Sequence, residues 1–311
     1  MSNILSGRRK LRVAVLGAGA LLAAYGYKGA ELRRTAHKSF DMSDPPAPGT
    51  PEFARVVELL TQAPLREGNL VAVLRNGCEI FPVMLDAIAA AQETISFSTY
   101  IWWAGNAAED VAEALAERAR SGLEVRILID AWGSAKLDHG VVKMLGEAGA
   151  EVVWFRPLRW YQLGRANNRM HRRILIIDGR LAFAGGVGLA AEWEGDCERP
   201  DLWRETHLRV EGPAVRDILG GFAENWSEAT GVILTGRPLP DLQPLDGGVP
   251  VLVTRSSATA GSTAVEELFL AAILGAQRRL WITTAYFAPR HQLHRCPDRR
   301  RPKGCGRARA R

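Results

Sequence analysis

The sequence predicts an α/β protein: a mixed β-sheet flanked by helices, one complete half followed by the start of a second, behind an N-terminal transmembrane helix. Three observations carry that prediction. From about residue 66, apolar runs of strand length alternate with amphipathic runs of helix length, the pattern of helices packed over a sheet. Part of the pattern recurs at a constant offset of 185 residues. Ahead of both lies an apolar stretch between basic residues.

Residues 1–12 are basic through Arg8, Arg9, Lys10 and Arg12, and residues 13–27 are apolar. A bilayer span needs roughly 17–25 residues, and Arg12 and Lys28 can snorkel to lengthen this one. No small-x-small cleavage site follows, so an anchor is favoured over a signal peptide. The run Val13 to Ala20 imitates a dinucleotide-binding turn, but Leu22 stands where its third glycine belongs and no βαβ unit follows. Lys28, Arg33, Arg34 and Lys38 balance the cations before the anchor and leave its orientation undecided. Residues 28–65 read as a linker, with Pro45, Pro46, Pro48, Gly49 and Pro51 as its breakers.

Residues 66–235 form the first domain. Its predicted elements are a strand at 94–101, a helix at 107–121 stopped by Gly122, a strand at 124–129, a helix at 140–148 and a strand at 151–155. After a hairpin come a strand at 205–210 and a helix from Pro213 to Glu228, with Gly231 beyond it. Residues 246–289 begin a second domain. Ala87-Ile88, Ala91-Gln92, Ile95, Phe97 and Thr99 align with Ala272-Ile273, Ala276-Gln277, Leu280, Ile282 and Thr284, a helix leading to a strand in both places.

The periodicity vanishes at about Arg290. Residues 290–311 hold nine cations and one anion, so the tail's +8 leaves the remaining chain at −2 although the whole carries +6. A basic nucleic-acid arm has such a composition, but a break in mid-domain fits out-of-frame translation better, and the body's charge argues against nucleic acid. His291, His294, Cys296 and Cys305 match no common zinc spacing, and the four cysteines form no disulfide framework.

The hairpin carries the chemistry. Ile174 to Ile177 followed by Asp178-Gly179 reads as a buried strand entering a tight turn, with Arg180 to Ala184 returning to Gly185-Gly186. Alternation sends His171 and Arg173 to one face and Arg172 to the other. An imidazole beside a fixed cation suits attack on a phosphate ester: the ring is the nucleophile and the cation holds the phosphoryl oxygens. The plain alternatives are a salt-bridged strand residue for Arg173, a purely conformational turn residue for Asp178 and a simple loop for the glycines. Arg156, Arg159, Arg165, Arg169, Arg172 and Arg173, interleaved with Trp160 and Tyr161, read as a receiver of anionic headgroups, a nucleic-acid track or a solvated basic loop. Glu192, Glu194, Asp196, Glu198 and Asp201 read as a solvated acidic loop.

His171 to Asp178 resembles the H-x-K-x4-D motif of the phospholipase D superfamily. The likeness continues through Gly185 to Gly188, Glu192-Trp193, Trp203 to His207 and Glu211 to Val215, and resembles the bacterial cardiolipin synthase branch in particular. Arg173 replaces the family's lysine, and Gly188 stands where many members carry asparagine. The resemblance implies two similar halves that each give one motif to a shared site; the offset puts the second motif histidine at about position 356. It implies that His171 is nucleophile or acid, that Arg173 binds phosphate and that Asp178 supports the site, with Gly185, Gly186, Asn168 and Arg169 on the substrate side. It further implies phosphatidyl transfer between two phosphatidylglycerols with no metal or other cofactor, at a bacterial plasma membrane. A homodimer would bring two copies of His171 together. Water as acceptor, or a non-catalytic anchored fragment, are the rival readings.

Overall fold

A computed structural model of the protein describes residues 17, 19, 21–27, 42–157, 169–256 and 264–284. They belong to two compact units: Gln62–Ala258, and a second built from the chain ends, Met1–Thr61 with Thr259–Arg311.

The larger unit runs β1 (Leu65–Arg75), α1 (Asn76–Ala90), β2 (Thr94–Thr99), α2 (Asn106–Arg120), β3 (Glu124–Asp130), α3 (His139–Glu147) and β4 (Glu151–Phe155). It continues with β5 (Arg173–Ile177), β6 (Leu181–Gly185), β7 (Thr206–Glu211), α4 (Ala214–Thr230) and β8 (Val249–Leu252). All eight strands join one sheet in the order β4-β3-β2-β5-β6-β7-β1-β8. β2, β3 and β4 are parallel, because helices return the chain between them; every other pairing is antiparallel.

The sheet is covered on both faces. Leu175 and Ile177 face a core with Ile80, Ile88 and Leu115 from α1 and α2. Ile174 and Ile176 face the opposite core, with Ile218, Phe222 and Trp226 of α4. This explains the unbroken apolar run from Ile174 to Ile177: a central strand buried on both sides has no polar face to alternate with. β1 pairs along β7 and β8 and is interrupted by a bulge at Arg66–Asn69. Buried Asn69 ties that bulge to the start of α4, accepting from Ala214 N at 2.8 Å and donating to Arg66 O at 2.6 Å. α4 stops at Gly231, whose φ of 76° suits glycine.

The Asp178-Gly179 turn has φ of 52° and 62° at its two residues, the left-handed pair of a two-residue hairpin. The Asp178 carboxylate reaches across to β2 and accepts three backbone N–H groups, from Gln92 at 2.9 Å, Glu93 at 2.7 Å and Thr94 at 2.9 Å. Its own N–H donates to Thr94 O at 2.8 Å. The turn therefore clamps the entry of β2 to the exit of β5.

Three expectations change here. β8 extends the first unit's sheet, so residues 249–252 complete that sheet at the free edge of β1 instead of opening a new domain. In the second unit, helix Ala264–Gly275 packs with helix Pro51–Thr61, a helix inside the expected linker. Leu280 to Thr284, expected as a strand, is not one: Trp281 is 83% exposed and no neighbouring strand pairs with it among the described residues. The tail at 290–311 lies outside the described residues, as do Val13 to Leu16, Ala18 and Ala20 of the expected anchor. Among the described residues no helix is long and apolar enough to cross a membrane.

Asp178→Ala removes three charge-assisted hydrogen bonds and puts a Cβ residue without a side-chain partner at positive φ. We expect a loss of roughly 2–4 kcal/mol in urea unfolding. Asp178→Asn, which tolerates that φ and keeps one acceptor oxygen, should lose about half as much.

Candidate active site

One edge of the sheet collects the polar side chains. β5 begins there with Arg173, whose register partners are Gly185 in β6 and then His207 in β7. β2 and β3 end there, with Tyr100 just past β2 and Asp130 the last residue of β3, because they run opposite to β5. Buried Asp130 organises the backbone at this edge. Its carboxylate accepts from Trp132 N at 2.9 Å, Gly133 N at 3.0 Å and Met170 N at 2.9 Å, tying the loop after β3 to the residue before His171.

His171 stacks on Tyr100 with ring centroids 4.0 Å apart and planes inclined by 41°. Arg173 Nη1 donates to His171 O at 3.1 Å and lies 3.4 Å from His171 Nδ1. Its guanidinium carbon is 5.3 Å from the centre of the Tyr100 ring, so one aromatic ring lies beside both groups. Arg172 turns the other way and binds α4, donating to Gly221 O and Asn225 Oδ1, both at 2.7 Å, and pairing with Glu224 at 2.9 Å.

Burial lowers the His171 pKa, and the Arg173 charge lowers it further, against an opposing pull from Asp130. Both effects favour the neutral ring, the form that carries a lone pair on one nitrogen. Arg173 is itself pushed below the usual arginine range by burial, with Glu205 the main charge opposing that. A guanidinium held away from water attracts an anion more strongly than one in bulk solvent.

Gly185 and Gly186 have a structural reason for lacking side chains. A Cβ on Gly185 would overlap the His207 ring, and one on Gly186 would collide with the Glu205 carboxylate. The glycines thus admit both groups beside Arg173. His207 is only 1% exposed.

Other predicted site residues fall elsewhere. Asp178 is at the far end of β5, and its carboxylate is occupied by the backbone entering β2, so it does not reach His171. Arg169 is nearly enclosed, with an 8% exposed side chain that donates to Arg156 O at 2.9 Å and lies 4.0 Å from Asp130. It braces the loop and also lines the cleft beside His171. Asn168 lies outside the described residues, as do Arg159, Trp160, Tyr161 and Arg165. Arg156 pairs with Glu228 at 2.6 Å, so the arginines described from this loop are charge-compensated. A cleft of about 300 Å³ opens beside His171, lined also by Arg156, Arg172, Asn225 and Ser256. In the acidic loop, Glu194 caps α2 through Ala107 N at 2.9 Å, and Asp196 accepts from Asn76 Nδ2 at 2.8 Å. Those two carboxylates anchor helix starts and are not merely solvated. No group of three or more His, Cys, Asp or Glu converges to hold a metal among the described residues.

Sequence reasoning did not single out Tyr100 or Asp130, whose only signal was their position at the ends of predicted strands, and it gave Glu205 and His207 no role although both lie in the Trp203 to His207 stretch of the family likeness. The i, i+2 spacing of Glu205 and His207, at the start of β7, was the further signal.

His207 makes stability depend on pH. Its pKa falls from 6.5 to about 4, first through burial and then through Arg173. Between those values the unfolded chain binds the extra proton and the folded one does not, so stability drops as pH falls from 6.5 to 4. The cost is about 3 kcal/mol, with a smaller contribution of the same sign from His171. Urea midpoints measured from pH 7 to pH 4 should show this slope in the wild type and a flatter one in His207→Gln.

Residues 84–198 match the family model described as the cardiolipin synthase, phospholipase D-like domain. The cardiolipin synthase of Geobacillus thermodenitrificans is 33% identical over 248 residues, 79% of this chain and 49% of that protein. The cardiolipin synthase of Halalkalibacterium halodurans is 32% identical over 240 residues, 76% of this chain and 47% of that protein. The chain thus spans about half the length of the curated relatives it matches. Among solved structures, the phospholipase D family member Nuc from Salmonella typhimurium aligns with a TM-score of 0.40 at 16% identity, over 52% of this chain and 96% of that one. The sequence matches, agreeing with the motif on β5, make this chain a member of the phospholipase D superfamily on its cardiolipin synthase branch.

Proposed function

We propose that this chain is the His171 half of a phosphatidyltransferase that condenses two phosphatidylglycerols into cardiolipin and glycerol. The observation that carries the reading is the pairing of a neutral His171 with a desolvated Arg173 on one face of β5, 3.4 Å apart. A ring nitrogen of His171 attacks the phosphorus of the first lipid, and the P–O bond to its glycerol headgroup breaks. Arg173 holds the non-bridging oxygens, where negative charge builds up. The departing alkoxide takes a proton and leaves as glycerol. The hydroxyl of a second phosphatidylglycerol then attacks the phosphatidyl-histidine, surrenders its proton, and frees the imidazole as the P–N bond breaks.

The proton donor and acceptor for these steps is a second histidine. In the family it belongs to the second motif, and a second copy of this chain presents an equivalent group if two His171 rings meet across a twofold axis. The cleft beside His171, with Asn225 and the Ser256 carbonyl on its wall, has the polarity to receive a glycerol headgroup. The protein acts at the bacterial plasma membrane, held by residues 13–27. The exposure of Leu21, Leu22, Tyr25 and Tyr27 on the described part of that segment supports an apolar partner for it.

Incubating the chain with headgroup-proximal 32P-phosphatidylglycerol in vesicles should give an acid-labile phosphohistidine and labelled cardiolipin. Both should be absent in His171→Ala. Arg173→Met should slow labelling by roughly a hundredfold, and Arg173→Lys by no more than about tenfold. Phosphatidic acid as the sole product would make water the acceptor; no histidine label at all would leave a non-catalytic fragment.

A further inference from the structure

We propose that His207 is a positioning residue for Arg173, holding its guanidinium from behind through one buried water shared by His207 Nδ1 and Arg173 Nε. The proposal rests on the reading of Arg173 as the phosphate-binding cation and adds what fixes that cation in place.

Two buried polar atoms in this part of the molecule lack a hydrogen-bond partner among the described residues, and they are complementary. Arg173 Nε can only donate; His207 Nδ1 accepts when the ring is neutral and carries its proton on Nε2. Leaving either unpaired in the interior is costly, more so for the charged group. Both residues line the same small cavity, of about 10 Å³, the room that one water needs. Thr99 lines it too. Its hydroxyl donates to Ile101 O at 2.9 Å and keeps lone pairs to accept from the same water. One water can therefore accept from Arg173 and donate to His207 and Thr99, satisfying all three.

The surroundings favour this role for the histidine. It is 1% exposed, so it has no path to serve as a solvent-facing acid or base. Gly185, its register partner, leaves the room that the imidazole fills. Burial and the Arg173 charge both hold the ring neutral, the state in which Nδ1 can accept. The guanidinium is planar, so fixing its Nε end fixes the direction of Nη1, the atom that meets His171. A lysine at this position has no Nε–H and would not need that support.

15N NMR of the full chain tests this without any turnover. At pH 7, the His207 Nδ1 resonance should show the unprotonated, hydrogen-bonded acceptor form. The Arg173 Nε–H, assigned by its absence in Arg173→Lys, should be protected from solvent exchange. His207→Leu should speed that exchange tenfold or more, and His207→Gln, whose amide oxygen can accept, should restore most of the protection. A protonated Nδ1 in the wild type, or unchanged Arg173 exchange in His207→Leu, overturns the proposal. If His207→Leu does not fold, the wild-type tautomer and His207→Gln still decide it. If no phosphohistidine forms while the exchange behaves as described, the transferase reading falls and the positioning role stands.

Discussion

The register of β5 against its neighbours constrains everything else in the larger unit, and the Asp178 carboxylate holds it. A strand alternates its side chains with a period of two, so a slip of one residue would exchange the two faces. His171 and Arg173 would then turn toward α4, and Arg172 would take their place. Four strand residues buried on both sides resist such a slip only weakly, because Ile174 to Ile177 are all apolar and nearly interchangeable. The turn supplies the missing specificity. Three consecutive amides at the entry to β2 converge on one carboxylate, which has a single position at the end of β5. Asp178 thus serves the site from the far end of the strand, by setting which face His171 occupies.

At the near end, charge is managed by burial and pairing together. Asp130 anchors the backbone below His171, Glu205 faces Arg173, and His207 contributes a polar ring without a charge. Burial first, and the charge of the same arginine second, hold both histidines toward the neutral form. For His171 this frees the lone pair that a nucleophile needs. For His207 it creates an acceptor. Burial and one cation therefore prepare two imidazoles for different work, and their exposure decides which work each does.

Parts of this were legible in the chain. The strand-turn-strand around Asp178-Gly179 could be read from four apolar residues and a turn dipeptide, because hairpin chemistry is local. The helix ending before Gly231 could be read for the same reason. β8 and helix Pro51–Thr61 could not. Val249–Leu252 is four residues long and becomes a strand only because β1 offers it an unpaired edge. The opposite failure is Leu280–Thr284, which matches a strand pattern but has no partner strand among the described residues. The arginines before the motif looked like a free basic surface, yet Arg156, Arg169 and Arg172 are committed to Glu228, to the Asp130 loop and to α4. Those partners lie up to tens of residues away, and no local pattern announces them.

The sequence by itself determined the superfamily motif, the face on which His171 and Arg173 lie, and the alternation of elements that builds the sheet. Each of these depends on residue spacing within a single element, where backbone geometry leaves little choice. Only the tertiary structure decided which groups stand around that pair. Tyr100, Asp130, Glu205 and His207 come from three other strand ends and meet at one edge through sheet order. It also decided that Asp178 is a clamp and that Gly185 and Gly186 make room for His207 and Glu205. Burial, electrostatics and steric fit are properties of neighbours in space, and a sheet in the order β4-β3-β2-β5-β6-β7-β1-β8 makes neighbours of residues far apart in the chain.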